Sequence, residues 1–131
     1  MKKSNLLNPD LCAAVAALGH TEYIVIADCG LPLNSHIKTI DLSVTAGLPC
    51  FVPILESIEK ELVIESYICA TEAQEKNPAL LKEVERILPY ATGTYVSHEE
   101  FKKLTEKAKY VVRTGENSPY ANIILVGGVN F

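Results

Sequence analysis

The chain contains no tryptophan and one methionine, and none of its four cysteines forms a Cys-x-x-Cys pair. Zinc-ribbon and thioredoxin-type readings therefore lack their spacing. Basic residues are outnumbered, twelve Lys and Arg against sixteen Asp and Glu, for a net charge of −4. Phosphate backbones are held by clustered Lys and Arg, so no nucleic-acid partner is expected. No apolar run approaches the roughly 20 residues that cross a bilayer, so no membrane partner is expected either. The Lys2-Lys3 start looks like a signal n-region, but Asn8, Pro9 and Asp10 interrupt the apolar stretch that should follow. A cytoplasmic protein is expected. The Gly-x-Ser-x-Gly, His-Glu-x-x-His, Walker and Rossmann patterns are also missing. Gly127-Gly128 follows the last apolar segment with no room behind it for a phosphate-binding helix.

What is present reads as one globular domain over 1–131, with 48% hydrophobic residues. Asn8-Pro9-Asp10 opens a first helix, with Asn8 as cap and Pro9 in the first turn. Gly19 is expected to close it in the left-handed conformation. Tyr23 to Ala27 is continuously apolar, as in a strand covered on both faces. It ends at Asp28, and Cys29-Gly30-Leu31-Pro32 turns the chain. Ile37 to Leu42 reads as a short strand. Pro49 to Glu61 reads as an irregular helix weakened by Pro53, and Leu62 to Ala70 as a strand. Asn77-Pro78 repeats the capping chemistry for a helix with an apolar face at Leu80, Leu81, Val84, Ile87 and Leu88. Gly93 to Ser97 is a strand, and Ser97 with Glu100 forms a capping box for a helix to Ala108. Tyr110 to Arg113 and Asn122 to Val126 complete the strands. The alternation predicts an α/β fold, a three-layer sandwich around a mixed β-sheet.

Candidate chemistry centres on three histidines. His20 follows Gly19 at the negative end of the first helix, where an imidazolium is favoured. Asp28 leaves the next strand; if the chain brings it back toward His20, its carboxylate favours the same charged form. His98 is the first residue after the Ser97 cap, at a positive helix end that favours a neutral ring able both to donate and to accept. His36 lies in a polar loop and reads as solvated. Tyr120, Ala121 and Asn122 follow the turn-forming Gly115 to Pro119 and suit a polar edge beside an aromatic platform. Structural alternatives stand beside each: capping for His20, a favourable helix start for His98, a half-buried turn tyrosine for Tyr120. The cysteines read as reduced small hydrophobes, with Cys29 in a loop beside Asp28, whose charge disfavours a thiolate. No spacing supports a metal site at His20, Asp28 and His98, so no metal is expected.

Several segments carry a family resemblance. They are Leu18-Gly19-His20-Thr21-Glu22, Ile26-Ala27-Asp28-Cys29-Gly30-Leu31-Pro32, Ile40-Asp41-Leu42 with Gly47-Leu48-Pro49, and Ser97-His98-Glu99-Glu100-Phe101-Lys102. Arg113-Thr114-Gly115-Glu116 and Ser118-Pro119-Tyr120-Ala121-Asn122-Ile123-Ile124-Leu125 complete the set. In this order, over nearly the whole chain, they resemble the D-ribose pyranase family. The sister L-fucose mutarotase family usually lacks Gly-Leu-Pro after the aspartate and Ser-Pro-Tyr-Ala-Asn near the end. Glu22 and Cys29 depart from the family's usual Asp and Ala.

The resemblance implies that His20 is the catalytic acid/base and that Asp28, His98, Tyr120, Ala121 and Asn122 line the sugar site, with Lys102 near it. It implies interconversion of the pyranose and furanose forms of D-ribose through the open chain, with no cofactor. It also implies homo-oligomers of pentameric rings, stacked as a homodecamer, with sites near subunit contacts. Positioned acid/base catalysis of this kind supplies about 10²–10⁴-fold, or roughly 3–5 kcal/mol. Three other readings remain open: a sugar-binding accessory protein without turnover, a mutarotase for another monosaccharide such as L-fucose, and a phosphocarrier using His20. The last finds no anion-cradling loop around His20.

Overall fold

Short β-branched runs separated by capped helices assemble here around a single sheet. A computed structural model describes all 131 residues, Met1–Phe131. The strands are β1 (Tyr23–Ala27), β2 (Lys38–Asp41), β3 (Ile64–Ala70), β4 (Thr92–Val96), β5 (Tyr110–Arg113) and β6 (Ile123–Gly127). The helices are α1 (Pro9–Ala17), α2 (Phe51–Glu59), α3 (Glu72–Lys76), α4 (Pro78–Ile87) and α5 (His98–Thr105). Strand order is β2-β5-β1-β6-β3-β4. β6 is antiparallel to both β1 and β3, and every other pairing is parallel.

Alternation along the central strands divides the core in two. Ile24, Ile26, Val112, Ile123 and Leu125 face one side, with Leu11 of α1, Phe51, Leu55 and Ile58 of α2, and Leu81 and Val84 of α4. Val25, Ala27, Val111 and Ile124 face the other, with Phe101 of α5 and Leu31. Helices thus cover both faces of β1, as its unbroken apolar run requires, and the expected three-layer α/β sandwich is present. None of the helices is long and apolar enough to cross a membrane.

Five local expectations need correction. Pro53 does not make α2 irregular: it is the third residue of a regular helix, where a missing N–H leaves no ladder bond unmade. Gly19 is not left-handed; Thr21 is, at φ 65°, in a turn closed by the Glu22 N–H on the Gly19 carbonyl at 3.2 Å. Asn8 caps α1 through the Leu11 N–H at 3.0 Å, but Asn77 does not cap α4. Its amide instead donates to Ser118 Oγ and the Pro119 carbonyl, both at 2.9 Å. Ser97 caps α5 by accepting the Glu100 N–H at 3.2 Å, while Glu100 returns no bond and faces Lys103. Cys50 is exposed, and Cys12 and Cys29 are half-buried, leaving Cys69 as the one fully buried thiol, its pKa pushed up to about 12 by burial.

Phe51 is completely buried between α2 and the sheet, whereas Asn8 contributes one capping bond. Phe51→Ala should therefore cost about 3–5 kcal/mol and Asn8→Ala about 1 kcal/mol, measured by urea denaturation. Equal effects would contradict this placement of the core.

Candidate active site

Parallel strands direct their carboxyl ends to one edge of the sheet, and ligand groups gather there in open α/β folds. Asp28 leaves β1 at that edge, His98 follows β4, and Tyr120 precedes the antiparallel β6. With Gly30, Leu31, Pro32 and Pro119, these three residues line a cleft of about 340 Å³.

Asp28 is held from three directions. Its N–H donates to Asn122 Oδ1 at 2.8 Å, and Asn122 Nδ2 donates to Asp28 Oδ2 at 2.8 Å. Its Oδ1 accepts the Gly30 N–H at 2.9 Å, the Asx turn that a short carboxylate side chain readily makes. Asn122 is almost wholly buried. It orients Asp28, whose oxygens each retain acceptor capacity for a ligand hydroxyl. Arg113 clamps the turn from below: its guanidinium donates to the Cys29 carbonyl at 2.9 Å and to Asp41 at 2.9 Å.

His98 stands edge-on to Tyr120, with centroids 5.1 Å apart at 77°, and parallel to Phe101 beneath it. Its Nδ1 is buried without a partner in the protein, a state that costs about 1–3 kcal/mol. The positive end of α5 does not act on His98 alone. Glu72, from the unforeseen helix α3, accepts the His98 N–H at 2.9 Å. The bond from its own N–H and the one from His98 hold the Glu72 carboxyl below the usual carboxylate range.

Tyr120 adopts φ 54°, a left-handed conformation that costs a bulky residue about 1–3 kcal/mol. Bonds on either side of it offset that cost. Asn77 holds Ser118 and Pro119, the Asn122 N–H returns to the Tyr120 carbonyl at 2.9 Å, and each such bond contributes about 0.5–1.5 kcal/mol. Ala121, between Tyr120 and Asn122, is fully buried, and neither Ala121 nor Asn122 lines the cleft itself. Glu116 gathers the same loop by accepting N–H groups from Phe51, Asn117 and Ser118 at 3.1–3.2 Å.

His20 lies elsewhere. It occupies the turn before β1, while Asp28 follows β1, and the five intervening strand residues span about 16 Å. The expected approach of Asp28 to His20 within one chain does not occur, because β1 is straight and separates them. The carboxylate beside His20 is Glu65 of β3, with Oε2 3.0 Å from Nε2. Lys102 pairs with Glu99 at 2.6 Å and lines a neighbouring hollow with Pro32, Leu33 and Asn34, not the Asp28 cleft. His36 is exposed in its loop. No three His, Cys, Asp or Glu side chains gather as metal ligands.

The model of the RbsD / FucU transport protein family matches residues 1–130. The chain belongs to that family. Among RbsD / FucU relatives, the D-ribose pyranase of Bacillus cytotoxicus is 49% identical over 131 residues, covering 100% of both chains. That of Geobacillus thermodenitrificans is 46% identical, covering 100% of this chain and 99% of its own. Among solved members, Bacillus subtilis RbsD complexed with D-ribose superposes with a TM-score of 0.96 at 46% identity, covering 100% of each chain. The fucose mutarotase of Streptococcus pneumoniae in complex with L-fucose gives 0.84 at 28% identity, again over 100% of each chain.

In this RbsD / FucU member, the sequence pointed to Asp28, His98, Tyr120 and Asn122 but not to the groups that hold them. Glu72 carried no local signal, because its bond to His98 crosses 26 positions; Asn77 offered only a capping signal and Arg113 stood within a quoted segment, yet their partners lie 41 and 84 positions away. Glu116 stood within a quoted segment, yet its bond to Phe51 crosses 65 positions.

The Glu116 carboxyl yields a pH prediction. Burial acts to raise its pKa, but the N–H groups of Phe51, Ser118 and Asn117 and the Ser118 hydroxyl outweigh it and leave the pKa below the ordinary value of 4.5. A carboxylate depressed in the folded state stabilises the fold above its unfolded pKa, and that contribution disappears as pH falls through the folded value. Thermal stability should therefore drop as pH falls below about 4.5, and Glu116→Gln should show a shallower drop. An unchanged pH profile in Glu116→Gln would refute this anchoring role.

Proposed function

We propose that the protein is a D-ribose pyranase, an isomerase that interconverts the six- and five-membered ring forms of D-ribose through the open chain. The observation that carries this reading is the fixed Asp28–His98–Tyr120 cluster, set at the carboxyl ends of the strands in a chain that matches D-ribose pyranases from end to end. A carboxylate, an imidazole and an aromatic ring suit the hydroxyls and the apolar face of a small sugar.

Ring opening removes the proton of the anomeric hydroxyl, delivers a proton to the ring oxygen and breaks the bond between that oxygen and the anomeric carbon. The open-chain aldehyde results. Reclosure joins the 4-hydroxyl oxygen to the same carbon, releases that hydroxyl's proton and reprotonates the carbonyl oxygen. His20 is the donor to the ring oxygen and recovers its proton from the 4-hydroxyl on reclosure, while solvent takes the anomeric proton and returns one to the carbonyl oxygen. Asp28 accepts from a sugar hydroxyl; Asn122 holds Asp28 in place. His98 and Tyr120 bind hydroxyls, and the chain around Ala121 shapes the wall.

Proton transfer requires heavy atoms about 2.6–3.2 Å apart, and one protomer keeps His20 and Asp28 at opposite ends of β1. A site that joins them therefore draws His20 from one subunit and the Asp28 cluster from another. Exposed Val44 and Leu48 support such a contact. Their loop is tied to the cleft end of the sheet by the Gly47 N–H on the Gly115 carbonyl at 2.5 Å. The assembly put forward is a homodecamer of two pentameric rings. A cytoplasmic location suits four unpaired thiols.

His20→Ala should slow exchange between ribose pyranose and furanose by about 10²–10⁴-fold while leaving ribose binding within a few-fold, measured by saturation-transfer NMR and calorimetry. Full exchange in the variant would exclude His20. Binding without exchange in the unaltered protein would favour a sugar-binding accessory role, and faster exchange of L-fucose than of ribose would favour the mutarotase reading. Co-refolded His20→Ala and Asp28→Asn subunits should regain activity that neither has alone. No recovery would argue against a shared site.

A further inference from the structure

We propose that Glu65 is a positioning residue for His20: its carboxylate holds the Nε2–H of the ring and thereby leaves Nδ1 as the nitrogen that exchanges a proton with the sugar. This rests on the reading of His20 as the acid/base of ring opening.

The two side chains meet at 3.0 Å, and the ring makes no other hydrogen bond in the protomer. An ionised carboxylate only accepts, so Nε2 must carry the hydrogen. The bond on one ring nitrogen decides what the other is free to do. Side-chain exposures of 52% for His20 and 41% for Glu65 make the pair a poor source of stability, since solvent screens it. Orientation is the function left to it.

The backbone is shaped to make this contact. Ile64 pairs with Gly127 and Ser66 with Val126, two steps on β3 against one on β6. Glu65 is the extra residue of a β-bulge, a device that redirects a side chain. Tyr67 and Cys69 point into the larger core. Strict alternation would send Glu65 there too, burying its charge. The bulge gives that place to Ile64, which is buried, and turns Glu65 outward to His20.

The histidine's turn is anchored on the same residue that faces the bulge. The Thr21 N–H donates to the Gly127 carbonyl at 2.8 Å, and the Gly127 N–H to the Glu22 carbonyl at 3.0 Å. A Cβ on Gly127 would lie 2.6 Å from the Gly19 carbonyl oxygen, so only glycine permits this approach. Gly127 thus fixes the His20 turn on one side and the Glu65 bulge on the other, which sets the spacing of the pair.

The test uses the full-length, assembled protein labelled with ¹⁵N-histidine; with three histidines, His20→Ala identifies the His20 signals. Long-range ¹H–¹⁵N spectra should show neutral His20 as the Nε2–H tautomer. Glu65→Ala should populate the Nδ1–H tautomer and lower kcat for ribose exchange about ten- to hundredfold with KM within about twofold. Glu65→Gln, whose amide oxygen can accept the same hydrogen, should keep the tautomer and restore most of the rate. The proposal is overturned if Glu65→Ala keeps the Nε2–H tautomer, retains full kcat, or changes KM alone. Equal loss of rate in Glu65→Gln with the tautomer preserved overturns it as well. Unaltered protein that does not accelerate ribose exchange sinks the functional reading, while the tautomer comparison still decides the pairing.

Discussion

β6 runs against both its neighbours and is buried at every residue. It is the joint on which both ends of the molecule depend. Its entry carries Tyr120, Ala121 and Asn122, and its exit is Gly127. At the entry, Asn122 locks the carboxylate and the N–H of Asp28 across 94 positions of sequence. At the exit, Gly127 receives the turn that presents His20. A parallel strand in that place would reverse these ends and separate Asn122 from Asp28. The antiparallel insertion is thus the physical reason that the Asp28 edge and the His20 edge share one rigid element.

Several carboxylates in this protein restrain backbone. Asp28, Glu72 and Glu116 each accept main-chain N–H groups at the cleft end. Glu22 does the same at the other end, accepting the Gly19 N–H at 2.6 Å while Lys109 bridges it to the Ala17 carbonyl. The bond from Lys109 and the Gly19 N–H keep Glu22 below the usual carboxylate range. Bonds of this type are stronger than neutral ones and keep loops ordered without apolar burial. These four acid residues therefore serve loop geometry.

The layered architecture was legible because it rests on local periodicity. The apolar run from Tyr23 to Ala27 demanded cover on both faces, and α5 and the α1–α2–α4 layer supply it. Asn8 and Ser97 capped as their sequence neighbourhoods implied, since a cap bonds only two or three residues ahead. Asn77 carried the same local signal, yet its amide is drawn to Ser118 and Pro119, because a distant loop offered two acceptors. Pro53 looked like a flaw only until its position in the first turn was known. Helix α3 escaped notice because five residues hold too little periodicity to be read.

Asp28, His98, Tyr120 and His20 stood out through their chemical type and their place beside strand ends. Their grouping was a different matter. Strand order and direction are settled by how far-apart segments pack, and these placed His20 beside Glu65 and away from Asp28. The bulge that frees Glu65 depends on register with β6, a quantity that no local pattern in β3 encodes. Residue chemistry is a property of the chain at one point, whereas the distance between two such points is set by the assembled sheet, and that distance decided which carboxylate the histidine meets.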